Sequence, residues 1–204
     1  VPKAGQRFEL FVAVWWNLSS QQSEVLMSAS APITADPPRL VPGRECGSCS
    51  MCCKVYNIAE IKKPAGKWCS HCKPGKGCVI HNALPHQCAE FNCLWRLEEQ
   101  LPPHWKPDQA KMVVAIHPVS GYVMVQVDHS TPSAWRRQPY YDQLRLWAKR
   151  NLHLGIYVLV CINLDATLVL PDQDIPLGPL METDRIAVRK AGNGYEARVV
   201  RGGH

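Results

Sequence analysis

Nine of the ten cysteines in this chain fall between Cys46 and Cys93, and they are spaced as ligands are. The run CGSCSMCC carries Cys46, Cys49, Cys52 and Cys53; CSHC carries Cys69 and Cys72; Cys78, Cys88 and Cys93 follow. A two-residue gap puts neighbouring sulfurs on one tight turn, where both can converge on a single ion. The chemistry open to such a set is soft-metal binding by thiolates. Zinc takes four tetrahedral ligands, commonly from two CxxC-like pairs. Cys46–Cys49 and Cys69–Cys72 have that spacing, and Cys52 or Cys53, Cys78, Cys88 and Cys93 could complete a second site. Two all-thiolate sites need eight sulfurs, one fewer than this block holds, so the pairing stays open. Iron, or an iron–sulfur cluster, is the alternative. Cys46-x2-Cys49-x2-Cys52 matches the first three ligands of a ferredoxin-type run, without the usual x3-Cys-Pro ending.

Other residues near the block speak less clearly. His71, His81 and His86 are further nitrogen donors. His81 and His86, close to Cys78 and Cys88, can serve as ligands or support them, whereas His71 lies between two cysteines and is expected to point away. Trp68 and Trp95 flank the cluster and are expected to shield it from water. Cys161, alone in the apolar run YVLVCIN, reads as core rather than ligand. His104, His117, His129 and His153 read as ordinary surface or core residues.

Catalysis would require more than ligands: an open metal position and a nearby general base. Glu60, Glu90, Glu98 and Glu99 are carboxylates of the kind helical surfaces carry routinely. The chain has no HExxH, no Gly-rich phosphate loop, no GxSxG and no HxE…PCxxC signature. A non-catalytic role is expected, the metal substituting for a core that a loop-rich block cannot build.

The formal charge of +6 invites a nucleic-acid reading, but it counts every cysteine as neutral. Eight thiolates around two zinc ions would lower it to about +2. The basic residues are also dispersed: residues 43–104 carry eight Lys/Arg against five Asp/Glu, and residues 105–204 twelve against nine. No stripe forms, which argues against a nucleic-acid partner. Trp135-Arg136-Arg137 with Trp147 is the one aromatic–basic grouping that could mark contact with a protein partner.

Crowding of the cysteines into so short a span, with two adjacent, fits a reducing cytoplasm better than a dispersed secreted framework. Against this, Lys3 and Arg7 precede a short apolar run, Leu10 to Trp16, with small residues at Ser28 to Ala31. As a leader it is short, and its small-residue site lies far downstream. The initial valine is what a GTG codon translated literally would give; Met27 would then be the natural start and residues 1–26 an upstream extension. No stretch reaches the roughly 18–20 apolar residues that span a membrane.

These residues must be positioned by modest elements. Residues 1–43, with four prolines in SASAPITADPPRLVPG, read as a disordered or extended arm. Residues 44–104 form the cysteine-cluster domain, and residues 105–204 a small α+β module. Within the cluster domain, Val55 to Ile58 reads as a short strand or helical turn, GKWCSHCKPGKGC as loop, and Pro85 to Gln100 as helix. In the module, Lys111–Ile116 and Tyr122–Asp128 read as strands around a turn at His117–Gly121. Pro139–Asn151 reads as an amphipathic helix through Tyr140, Leu144 and Trp147. Two hairpins are expected, Ile156–Asn163 with Thr167–Leu170 and Arg185–Lys190 with Tyr195–Val200. The class expected is α+β with an antiparallel sheet and one amphipathic helix.

The cysteine block resembles the zinc- or iron-chelating cysteine-cluster family, also called YkgJ-like. The resemblance rests on CxxCxxCC at Cys46 to Cys53, a following apolar stretch, GxGCxI at Gly75 to Ile80, and PxxCxxFxC at Pro85, Cys88, Phe91 and Cys93. It covers about 48 of the 204 residues. Where the family carries an aromatic residue and an arginine before proline, this chain has His81 and Leu84, and Cys72 is additional. The resemblance implies metal binding and a bacterial source. The family's biochemical activity is largely unassigned, and the C-terminal module looks like an extension found in some bacterial members.

Overall fold

The computed structural model describes residues 39–80, 82–181 and 183–202. The leader-like run, Met27 and nearly all of the expected arm lie outside the described residues.

Glycine and proline keep the elements short where the cysteines are. Helix α1 spans Cys52–Val55, and a 3-10 turn follows at Ala59–Ile61. Strands β1 (Cys72–Lys73) and β2 (Gly77–Cys78) pair as a minimal antiparallel hairpin, where the sequence suggests only loop. The helix expected over 85–100 is two: α2 at His86–Glu90 and α3 at Leu94–Leu97. Phe91 and Cys93 between them are extended. Both pack toward the same cluster of Met51, Val55 and Val113. On a continuous helix, residues two apart would point about 200° from each other, so the break lets both face one way. A one-turn helix, α4, occupies Pro107–Ala110.

Longer apolar runs then build the frame. Strands β3 (Met112–Ile116) and β4 (Val123–Val127) pair antiparallel around the expected turn. Helix α5 (Tyr140–Asn151) follows, then β5 (Val158–Ile162), β6 (Asp165–Val169) and β7 (Asp174–Pro179). These strands make one sheet in the order β3-β4-β5-β6-β7. The class is α+β. The sheet is not purely antiparallel, however, because β4 and β5 run parallel. The chain between them contains α5, a crossover of the length that parallel neighbours require. β7 was not legible: Pro176 and Gly178 obscure its pattern, and it tolerates them as an edge strand beside an irregularity at Ala166/Thr167. A separate hairpin of β8 (Arg185–Ala191) and β9 (Gly194–Val200) forms as expected and is tied to the β7 end through Gln173, whose side chain bonds Tyr195.

Alternation along the strands splits the core into two faces. On one, Tyr140, Leu144, Trp147 and Ala148 of α5 join Trp105, Trp135, Val114, Val125 and Val158. On the other, Leu159, Cys161, Ala166, Leu168 and Ile186 pack beneath the β8–β9 hairpin. The cysteine block straddles β3 at the sheet edge. Val113 meets Met51, Val55 and Cys93, while Met112 and Val114 on the opposite face share a core with Leu94 and Leu101. That covering protects an edge otherwise open to pairing, and it packs the cysteine block against the five-stranded sheet.

Candidate metal centre

Each cysteine is held by a turn or a cap rather than by a long element. Cys46 and Cys49 sit on one turn closed by a Cys49 N–H to Cys46 carbonyl bond of 2.8 Å. Cys52 and Cys53 begin α1. The Cys53 carbonyl accepts from the Cys69 N–H at 3.0 Å, which brings the CSHC loop alongside the helix. Cys72 and Cys78 face each other across β1 and β2. Gly77 allows that hairpin to approach the first turn: its φ is +95°, and a Cβ there would stand 2.9 Å from the Gly47 carbonyl oxygen. Cys88 lies on α2, whose first N–H groups donate to Glu60 from His86 (2.8 Å) and Gln87 (2.6 Å). These bonds hold the Glu60 carboxyl below its usual range. Cys93 is the N-cap of α3.

Eight of the nine predicted ligands line a single cleft of about 930 Å³: Cys46, Cys49, Cys52, Cys53, Cys69, Cys78, Cys88 and Cys93. The ninth, Cys72, does not line it. Cys72 is buried behind Cys53, whose thiol it touches, and beside Ser50. Among the described residues no cysteine is in a disulfide. Nor do any three His, Cys, Asp or Glu side chains among them stand in an arrangement that could hold a metal ion. A tetrahedral zinc site needs sulfurs about 3.8 Å apart, given Zn–S bonds of about 2.3 Å. The thiols are therefore gathered around one space without being drawn onto one point.

Proximity shows in their protonation. Burial pushes Cys93 up to about 11 against the pull of the Arg96 amide, and the charges of Cys46 and Cys49 push the same way. Cys49 is raised by burial and then by Asp108 and Cys46, although the Met51 and Asp108 amides oppose this. Cys88 is raised by burial and by the charges of Cys53, Cys69 and Cys78. Cys53 is raised by its contact with the Cys52 thiol and by burial. Cys72 is pushed up to about 11 by burial and by Cys53. Such thiols are poor nucleophiles alone and become ligands only when a cation offsets their mutual repulsion.

Two features favour an electron-rich occupant. The Tyr56 hydroxyl and the Trp95 indole N–H both belong to cleft-lining residues, and both polar atoms are buried with no hydrogen-bond partner. Lys63, 5 % exposed and not itself lining the cleft, brings a cation near the end of α1, where its Nζ donates to the carbonyls of Lys54 (2.9 Å) and Tyr56. Burial lowers the Lys63 pKa, and the charges of Cys53, Cys69, Cys52 and Cys88 oppose that. The thiols of the cleft are donors of the kind a thiophilic metal takes, but among the described residues no three of them are placed to hold one.

The remaining expectations divide. His71 lines the cleft, His86 is exposed and pairs with Glu90 at 3.1 Å, and His81 lies outside the described residues. Trp95 lines the cleft, but Trp68 is 42 % exposed and stacks on Lys54, so it shields nothing there. Glu60, Glu90, Glu98 and Glu99 do not line it. Trp147 is core, and Arg136 is taken up by Trp135 and by Asp174 at 2.9 Å. Cys161 is 4 % exposed within β5 and is pushed up to about 12 by burial. Sequence reasoning missed Tyr56, Lys63 and Arg44, none of which stands in a recognisable motif. Arg44 donates to four carbonyls, of Trp95, Glu98, Glu99 and Leu101, at 2.8–3.0 Å and so pins the first cysteine turn to the end of α3.

No family model, curated protein or solved structure matches this chain. Among the described residues, no helix is long and apolar enough to cross a membrane.

Proposed function

We propose that this chain is a metal-binding protein in which cleft thiolates hold zinc in a structural or chelating role. The observation that carries the reading is that eight cysteines from four separate segments line one cleft. Chance burial of small apolar residues does not account for this, because these thiols share the space with Lys76, His71, Asn57 and Asn92. The resemblance to the YkgJ-like family points the same way. In this reading the ion, when bound, supplies the cross-links that one-turn helices and a two-residue hairpin lack. The chain's own residues orient the thiols, and Lys63 offsets their charge. A reducing compartment such as the cytoplasm is required to keep them as thiols.

An iron–sulfur centre for redox or radical chemistry is the second reading. It is favoured by the CxxCxxC order of Cys46, Cys49 and Cys52 and by a cleft roomier than a bare ion needs. A partner-binding module stabilised by zinc would use the same site without chemistry.

The test is anaerobic purification of the chain, elemental analysis and a visible absorption spectrum. Zinc with no visible band supports the first reading. Iron with acid-labile sulfide and a broad visible band replaces it with the second. A folded, metal-free protein that takes up neither metal overturns both.

A further inference from the structure

We propose that Cys53 and Cys72 form a modification site, a dithiol that a low-molecular-weight disulfide oxidises to an intrachain disulfide. The inference does not require a bound metal.

Cys72 is the one cysteine of the block that does not line the cleft, and its thiol is in contact with that of Cys53. The backbone holds the two segments together. The Cys53 carbonyl accepts from the Cys69 N–H at 3.0 Å, and the Cys69 carbonyl accepts from the Cys72 N–H at 3.0 Å. Ser50, itself buried, fixes the other side of Cys72: its side chain bonds the thiol and accepts from the Gly75 N–H at 3.3 Å. Two sulfurs held in contact need only a small movement to bond. The competing pairs are less suited. Cys52 touches Cys53 as well, but consecutive Cα atoms lie about 3.8 Å apart, closer than the roughly 4.4 Å at which disulfides begin. Cys78 faces Cys72 across β1 and β2, yet Cys72 turns its thiol to Cys53.

Exposure assigns the order of the two steps. Cys53 is half-buried and lines the cleft, whereas Cys72 is buried. A small disulfide RSSR therefore meets Cys53 first. The Cys53 sulfur gives up its proton and bonds one sulfur of RSSR, and the other leaves with a proton as RSH. The Cys72 sulfur then bonds that of Cys53 and displaces the second RSH, which takes the Cys72 proton. Two protein thiols are oxidised, and one small disulfide is reduced to two thiols. The product ties the CSHC loop to α1 and removes one thiol from the cleft. Buried thiols exchange slowly, so the position of equilibrium, not the rate, is the quantity to read.

Oxidised glutathione is the probe. The full chain is reduced, desalted anaerobically and held with it to equilibrium, both as purified and after chelation of any metal. Free thiols are then blocked, and linked tryptic peptides are mapped by fragmentation. The expected link joins residues 45–54 to residues 68–76 through Cys53 and Cys72. Cys72→Ser should abolish it and leave glutathione on Cys53, whereas Cys52→Ser and Cys69→Ser should keep it. Circular dichroism checks that each variant retains its sheet, and the map of the unsubstituted chain decides where a variant fails to fold. A Cys72–Cys78 or Cys52–Cys53 link in its place overturns the proposal. So does survival of the link in Cys72→Ser, or thiols that stay reduced in both preparations.

Discussion

Lys54 Nζ and Asp128 Oδ1 stand 2.7 Å apart, joining the helix that bears Cys52 and Cys53 to the end of β4. The Asp128 side chain is 7 % exposed and that of Lys54 12 %, and Trp68 lies over the amine. Ser130 completes the arrangement, accepting from Lys54 at 3.1 Å and donating its N–H to Asp128 at 3.0 Å. Burial raises the Asp128 pKa, but the Lys54 ammonium and Ser130 overcome this and hold it below the usual value. A depressed folded pKa means stability that is fully present above the unfolded value of about 3.9 and lost as pH falls through the folded one. Asp128→Asn should cost about 2 kcal/mol at neutral pH. The gap between variant and wild type should close as denaturation is repeated toward pH 3. A gap that does not change with pH would show that the pair contributes little.

Lys63 makes a prediction that separates charge from packing. Its Nζ bonds two carbonyls at the end of α1 and lies among four cysteines. Lys63→Met keeps most of the apolar stem and removes the cation, so zinc affinity should fall about tenfold, the lower end for outer-shell changes. Lys63→Arg should recover part of the loss. Competition against a chelator measures both, and equal retention by all three proteins would remove Lys63 from any metal-tuning role.

Much of the frame was legible because its strands and helix are local patterns. Tyr140, Leu144 and Trp147 lie at helical spacing, and Val123, Val125 and Val127 alternate, so neither needs knowledge of its neighbours. The direction of β5 depends on where α5 returns the chain, and no residue of β5 encodes that. The break at Phe91–Cys93 was hidden for a similar reason. Helix-forming residues surround it, and tertiary packing against Val113 decides the matter. At the candidate site, the cysteine spacing picked out eight residues that share one cleft. It could not separate Cys72 from Cys78, which face each other across β1 and β2 while only one reaches the cleft.

Arg44 tests how the first cysteine turn is held. Its guanidinium donates to four carbonyls in and just beyond α3 and lies over the Trp95 ring, 5.3 Å from its centroid. A lysine keeps the charge but cannot span that fan of acceptors. Arg44→Lys should lower stability by about 2 kcal/mol, the scale of losing charge-assisted bonds to partly buried carbonyls. If Cys46 and Cys49 hold zinc, the variant should also release it more readily than wild type. Denaturant unfolding and chelator-release kinetics read the two effects separately. Release at the wild-type rate would argue against this coupling.

Cys161 provides the control that any thiol reading of this protein needs. It lies in β5 with Leu159, Ala166 and Leu168, on the face away from α5, and burial pushes its thiol up to about 12. A thiol so raised stays protonated at neutral pH and is inert toward alkylating reagents in the folded state. Cys161→Ala should cost about 1–2 kcal/mol for the emptied volume and leave zinc stoichiometry unchanged. In the native, metal-free protein, iodoacetamide at pH 8 should label the half-buried cleft cysteines Cys46, Cys52 and Cys78 before the buried Cys161, and denaturant should abolish the difference. Early labelling at Cys161, or loss of zinc from Cys161→Ala, would mean that this strand opens or takes part in binding. The count of ligands would then have to begin again with ten.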